Sequence, residues 1–431
     1  MKLWQKNNTA TSEKIEAFTV GRDREFDMAL AKYDVLGSLA HTAMLHSVGL
    51  LSAAEHEALH SEMNNILNDI ESGNFAIDNT CEDIHSQIEF ILTERLGDAG
   101  KKIHTGRSRN DQVAVDIKLY LRDQLHTIKD LTVALFDILL SLSDANKDKL
   151  LPGYTHLQVA MPSSFGLWFA AYAESLVDDM QLLRTAYSIA DKNPLGSGAG
   201  YGSSFPLDRT KTTEILGFDT LHYNSIYAQM SRGKTEKYVA VALAAIGATL
   251  SRFSMDVCMY MSQNFTFVSF PDHLTTGSSI MPHKKNPDVF ELVRAKCNRI
   301  QAVPNELTLL CNNLPSGYHR DMQLTKEILF PAIEDMKACL EMAVLMLSEV
   351  QVKDDILKDE KYKYIFTVEK INELVNSGMT FRDAYRQVGD EVQSGTFSYT
   401  PGNISHTHEG SIGNLCNDKI RALFASVTAS W

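Results

Sequence analysis

Between residues 112 and 151 the chain has no glycine and no proline, and its apolar residues return every three to four positions: Val113, Ile117, Leu121, Leu125, Ile128, Leu131 and Leu135. That period predicts one amphipathic helix of unusual length. A second helix is predicted over residues 161–192, with Pro162 in its first turn and Gly166 inside. A third runs from Thr235 towards Phe265, and its segment YVAVALAAIGATL is apolar on nearly every face. A helix apolar all round must be buried all round. A fourth starts at Pro287, with Asn286 as its cap and the carboxylate of Asp288 in its first turn. Residues 306–310 either extend it or open another helix after Pro304, and residues 55–71 also read as helix. Alternating β-branched runs are few, and 265–270 (FTFVSF) is the best of them. The pattern predicts an all-α protein whose long helices form a bundle that also packs against other copies of itself.

A chain of 431 residues is too long for one compact core. We divide it into a helical N-terminal domain (1–107), a central domain of long helices (108–355) and a small helical C-terminal domain (356–431). No apolar stretch is expected to span a bilayer, and the opening MKLWQKNNTATSEK lacks the apolar centre of a secretory signal. The six cysteines have no metal-ligand spacing. Reduced thiols, no metal and a cytoplasmic location are the expectation. Lys and Arg total 41 against 54 Asp and Glu, a net charge of −13, which disfavours nucleic acid as a partner. Cations nevertheless cluster at Arg107, Arg109, Lys284, Lys285, Arg320 and Lys326, so a local field suited to an anionic small molecule remains available.

Four segments carry candidate chemistry. In residues 277–288, GSSIMPHKKNPD, two hydroxyls stand beside two lysines on a loop that runs into a helix start. Such a loop can close over an anion and present Ser278 to it. Glu291 follows on the helix, where it can hold and polarise a histidine from another segment. In residues 104–113, HTGRSRNDQV, Arg109 can bind a carboxylate bidentately, while Ser108 and Asn110 offer neutral donors or cap the long helix. In residues 151–162, LPGYTHLQVAMP, His156 is a candidate acid or base with Thr155 beside it. In residues 316–326, SGYHRDMQLTK, Tyr318, Gln323 and Lys326 can contact a polar substrate. The glycine run 196–202 (GSGAGYG) lacks the strand and the Lys-Ser/Thr of a phosphate loop and reads as a loop wall near the site.

Taken together, GRSRNDQV, GYTHLQ and GSSIMPHKKNPD resemble argininosuccinate lyase, one branch of the fumarase/aspartase superfamily. EDIH (82–85) and PLGSGA (194–199) match as well, and the resemblance spans most of the chain from about Tyr33 onwards. It implies an elongated three-domain subunit in a homotetramer with a central twenty-helix bundle, each active site assembled from three subunits. It also implies a C–N lyase that splits argininosuccinate reversibly into arginine and fumarate with no cofactor. By position, Ser278 matches the family's proposed general base, His156 its histidine and Glu291 the orienting carboxylate, with Lys284 assisting; either Ser278 or His156 can take the carbon proton, and Ser278 is the favoured base. Ser108, Arg109, Asn110, Thr155, Asn286, Tyr318, Gln323 and Lys326 match binding positions. Departures occur at Val159 and Met161, where the family has arginine and glutamine, and at His283, as in adenylosuccinate lyase. The family's N-terminal contact serine has no clear match; Asp23 falls nearest. Another fumarate-releasing lyase, adenylosuccinate lyase first, and a crystallin-like structural protein are the alternatives.

Overall fold

The computed structural model describes residues 12–400, 404–429 and 431. The opening MKLWQKNNTAT, which carries most of the secretory-signal reading, lies outside them. The protein is all-α, and its described strands are short pieces in three two-stranded sheets. It divides into two compact units. The first comprises the described residues up to Ile128, with Leu182–Ala244 and Arg299–Met336. The second comprises Lys129–Gln181, Ala245–Asn298 and Lys337–Trp431. Several long helices, Arg109–Ala145 among them, supply residues to both.

In the first unit the helices Ala31–Ser47, Ala53–Glu71 and Ile84–Leu96 enclose an apolar core. Ser52 and Glu55 form a reciprocal capping box that starts the second of them. Leu59, Met63 and Ile66 on that helix are buried with Val35, Met44, Leu45, Ile84 and Ile88. Each such side chain contributes roughly 1.5–3 kcal/mol relative to exposure. The predicted long helix runs Arg109–Ala145. It stops short of residue 151 because Leu150 already pairs with Ser164 in a hairpin.

That hairpin, in the second unit, corrects the sequence reading of residues 150–164. Leu150–Thr155 pairs antiparallel with Gln158–Ser164. The helix expected from residue 161 therefore begins only at Phe165. Pro162 lies opposite Pro152, a place where neither strand needs an N–H. Beyond the hairpin, Asp256 accepts hydrogen bonds from Trp168 Nε1 (3.0 Å) and the Tyr172 hydroxyl (2.7 Å). Phe136 stacks on Phe424 at 3.7 Å, and Ile365, Phe366, Ile371, Val388 and Phe397 form a separate C-terminal core.

Three other expectations shift. Of residues 265–270 only Val268–Ser269 pairs as strand. The helix expected at Pro287 starts at Asp288, and Val303–Leu310 is a separate helix with Pro304 in its first turn. The apolar helix is Lys234–Met261, and it is not buried all round: Tyr238, Val241 and Met255 are exposed. By length and composition it is also long and apolar enough to cross a membrane, against expectation, with half of its most apolar stretch buried in the protein. Its charges sit at Lys234, Glu236 and Lys237 and then only from Arg252 onwards, which leaves the middle free of them.

Candidate active site

A cavity of about 220 Å³ in the first unit gathers five of the predicted residues: Arg109, Asn110, Tyr318, Gln323 and Lys326 line it. The start of the Arg109–Ala145 helix supplies the first two, and the turn before Leu324–Ser348 supplies Tyr318 and Gln323. Ser108 caps that first helix, its hydroxyl accepting the Asn110 N–H at 3.2 Å. Most of the charges are already engaged. Arg109 donates to Asp83 (2.8 and 2.5 Å) and to Ser86. Arg320 donates to Glu82 at 2.8 Å, and Gln323 donates to the carbonyls of Thr19 and Val20. Lys326 is buried and pairs with two carboxylates, Asp23 at 2.5 Å and Asp27. By contrast, the side-chain polar atoms of Asn110 and Tyr318 make no hydrogen bond among the described residues. Sequence reasoning gave no role to the acidic half of this wall: Glu82 and Asp83 entered only as part of the EDIH string before one helix, and Asp27, at the end of a short helix, carries no motif.

The glycine run is the outer support of the Ser108–Asn110 turn. The carboxylate of Asp111 accepts the backbone N–H groups of Gly196 and Gly198, both at 2.9 Å, and that of Ser108 at 2.8 Å. Gly196 and Gly198 hold φ values of 83° and 60°, which turn successive N–H groups towards one anion. The anion in this nest is the protein's own, which leaves no place there for a phosphate. Burial pushes the Asp111 carboxyl up to about 6.

Behind the cavity lies a charged cluster with metal-ligand spacing, Asp34, His85 and Asp116, all buried. His85 Nδ1 stands 3.1 Å from Asp34 and 3.6 Å from Asp116, and Gln112 donates to Asp34 at 2.5 Å. Burial lowers the affinity of the His85 ring for its proton, but Asp34 first, then Asp83 and Asp116, outweigh it and raise the ring to about 9. Burial and the neighbouring Asp34 push Asp116 well above the ordinary carboxylate range. His85 Nδ1 faces both acids, while both oxygens of Asp116 and one of Asp34 have no hydrogen-bond partner among the described residues.

The second unit carries the other predicted residues. His156 is the tip of the hairpin, in a two-residue turn with Leu157. Both have positive φ, 54° and 59°, the geometry of a type I′ turn, which normally takes Asn or Gly. Leu157 is 79% exposed, and His156 and Thr155 are exposed too. A leucine held in the left-handed region with its side chain in solvent is a strained position of the kind found at functional sites. The hairpin escaped the sequence reading because no Asn-Gly or Asp-Gly marks its turn.

Ser278 lies on the loop 277–285, whose base is closed by a bridge between Thr276 and Asn286. Asn286 N donates to Thr276 O at 2.8 Å, its side chain donates to Gly277 O at 3.2 Å, and Thr276 bonds Asp288. The Ser278 hydroxyl oxygen accepts two backbone N–H groups, from Ile280 (3.3 Å) and Met281 (3.2 Å). Lys284 is exposed on the same loop, while Lys285 is tied to Asp272. Glu291 is exposed on the helix that follows, and no hydrogen bond or ion pair joins it to His156 among the described residues. Val159 and Met161 are exposed on the hairpin.

A family model described as a lyase matches residues 6–302. The argininosuccinate lyase of Parabacteroides distasonis is 58% identical over 430 residues, which cover 100% of this chain and 96% of that protein. The argininosuccinate lyase of Stenotrophomonas maltophilia is 40% identical over 428 residues, 99% of each chain. Among solved structures, an EDDS lyase in complex with formate is similar with a TM-score of 0.77 at 20% identity, over 98% of this chain and 90% of that one. That last likeness concerns the fold.

Proposed function

The chain belongs to the argininosuccinate lyase family of the fumarase/aspartase superfamily, and on that premise we propose that it splits argininosuccinate reversibly into L-arginine and fumarate, the last step of arginine biosynthesis. A base removes a proton from the carbon beside a carboxylate, the electron pair becomes the new C=C bond, and the C–N bond breaks as the departing nitrogen takes a proton. No electrons are lost, so the step calls for no redox cofactor.

The observation that carries the residue roles is the pair of N–H groups on Ser278. A neutral serine is a poor base, and donors already aimed at its oxygen stabilise the alkoxide. Ser278 is then the base, with the exposed ammonium of Lys284 adding positive charge on the same loop. His156 is the acid that returns a proton to the leaving nitrogen, and Glu291 orients it. The substrate is held by fixed donors and cations among Ser108, Arg109, Asn110, Thr155, Asn286, Tyr318, Gln323 and Lys326, those facing the reacting carboxylate stabilising the developing dianion.

These residues divide between the two units, and those on the second unit are mostly exposed. That division supports a homotetramer in which each site takes segments from three copies, its bundle built from the long helices. Exposed Tyr238, Val241 and Met255 on the apolar helix are suited to such packing. The separate cores over residues 31–103 and 365–397 support N-terminal and C-terminal domains flanking the central one. All six cysteines are free, in keeping with a reducing cytoplasmic setting.

The test is fumarate absorbance with purified protein and each substrate supplied separately. Argininosuccinate should release fumarate. Turnover of adenylosuccinate alone, the reaction His283 would favour, would replace this reading.

A further inference from the structure

We infer that Asp23 is a specificity-determining residue: with Asp27 and Lys326 it forms a subsite for an ammonium group, and it makes the enzyme require a free α-ammonium on the amino-acid half of its substrate. The inference rests on the function proposed above and names a chemical demand of that site.

The argument is one of charge balance in the cavity. Arg109 is matched by Asp83 and Arg320 by Glu82, one cation to one carboxylate. Of these three cations, Lys326 faces two carboxylates, Asp23 and Asp27. Lys326 and Asp27 are almost fully buried, and Asp23 is largely so, which keeps water from screening the surplus. Burial holds the Asp23 carboxyl up at about 6, with Asp27 adding to the rise and Lys326 opposing it. A ligand cation at this wall restores neutrality, whereas a ligand anion there would add a third negative charge. An α-amino acid supplies the matching pair of charges: its ammonium meets Asp23, and its carboxylate has the uncommitted amide of Asn110 and hydroxyl of Tyr318 on the same cavity. A neutral serine at position 23 could accept a hydrogen bond from the same ammonium but would supply no charge.

Calorimetric binding of L-arginine and of 5-guanidinopentanoate, which lacks only the ammonium, tests this on the full-length protein. The wild type should bind arginine at least about tenfold more tightly, the worth of one charged hydrogen bond. Asp23→Asn should bring the two ligands to within about threefold of each other, and Asp23→Glu should restore part of the difference. Equal binding of both ligands by the wild type overturns the inference whether or not any variant folds. So does an unchanged ratio in Asp23→Asn. Fumarate release from argininosuccinate is followed in parallel: its absence in the wild type overturns the proposed function, whereas its presence with an unchanged ratio overturns only the role of Asp23.

Discussion

The carboxylate of Asp111 accepts the backbone N–H of Gly198 at 2.9 Å, so the first turn of the longest helix is tied to a glycine loop 87 positions later. One of its oxygens serves Gly196 and Gly198 and the other serves Ser108. An asparagine cannot do both, because one of its two ends is a donor. Asp111→Asn is therefore expected to lower stability by about 1–3 kcal/mol, the cost of leaving a buried donor unmet. Urea unfolding measures it, and a loss under about 0.5 kcal/mol would show that the nest does not depend on the charge.

Ser278→Ala is expected to fold and assemble as the wild type does, since its side chain sits on a loop closed independently by Thr276 and Asn286. Turnover should fall at least about a hundredfold, the usual worth of a positioned base. Near-normal turnover of argininosuccinate would remove Ser278 from the chemistry.

Because Ser278 lies on one loop and His156 on a separate hairpin, sites shared between copies would let different chains supply each. Mixing Ser278→Ala with His156→Ala subunits should then regenerate activity that neither has alone. No recovery after mass spectrometry confirms subunit exchange would count against shared sites.

His85 makes stability depend on pH in a defined direction. Its folded value is raised, from 6.5 to about 9. The stabilisation is thus complete below 6.5 and is lost as pH rises through about 9. Asp116, also raised, acts in the same sense. The melting temperature of the wild type should fall across that window. His85→Gln should be less stable near neutrality, because Asp34 and Asp116 lose their buried cation, and it should lack this part of the fall. Parallel pH profiles for the two proteins would refute the assignment.

The long helices were legible because a period of three to four residues without glycine or proline has one low-energy outcome, and residues 112–145 took it. The family resemblance was legible too, since Ser278, His156 and Asn110 stand in long characteristic strings, whereas the string around Lys326 is weaker. The hairpin was not: whether residues 150–164 continue two helices or pair with each other depends on strand contacts that no local pattern records. Nor could the sequence show that Lys326 faces two carboxylates from a segment some three hundred positions earlier, or that Asp111 fills the glycine nest. Helix periodicity is local and is written in the order of residues, whereas charge balance and burial are properties of what folding brings side by side.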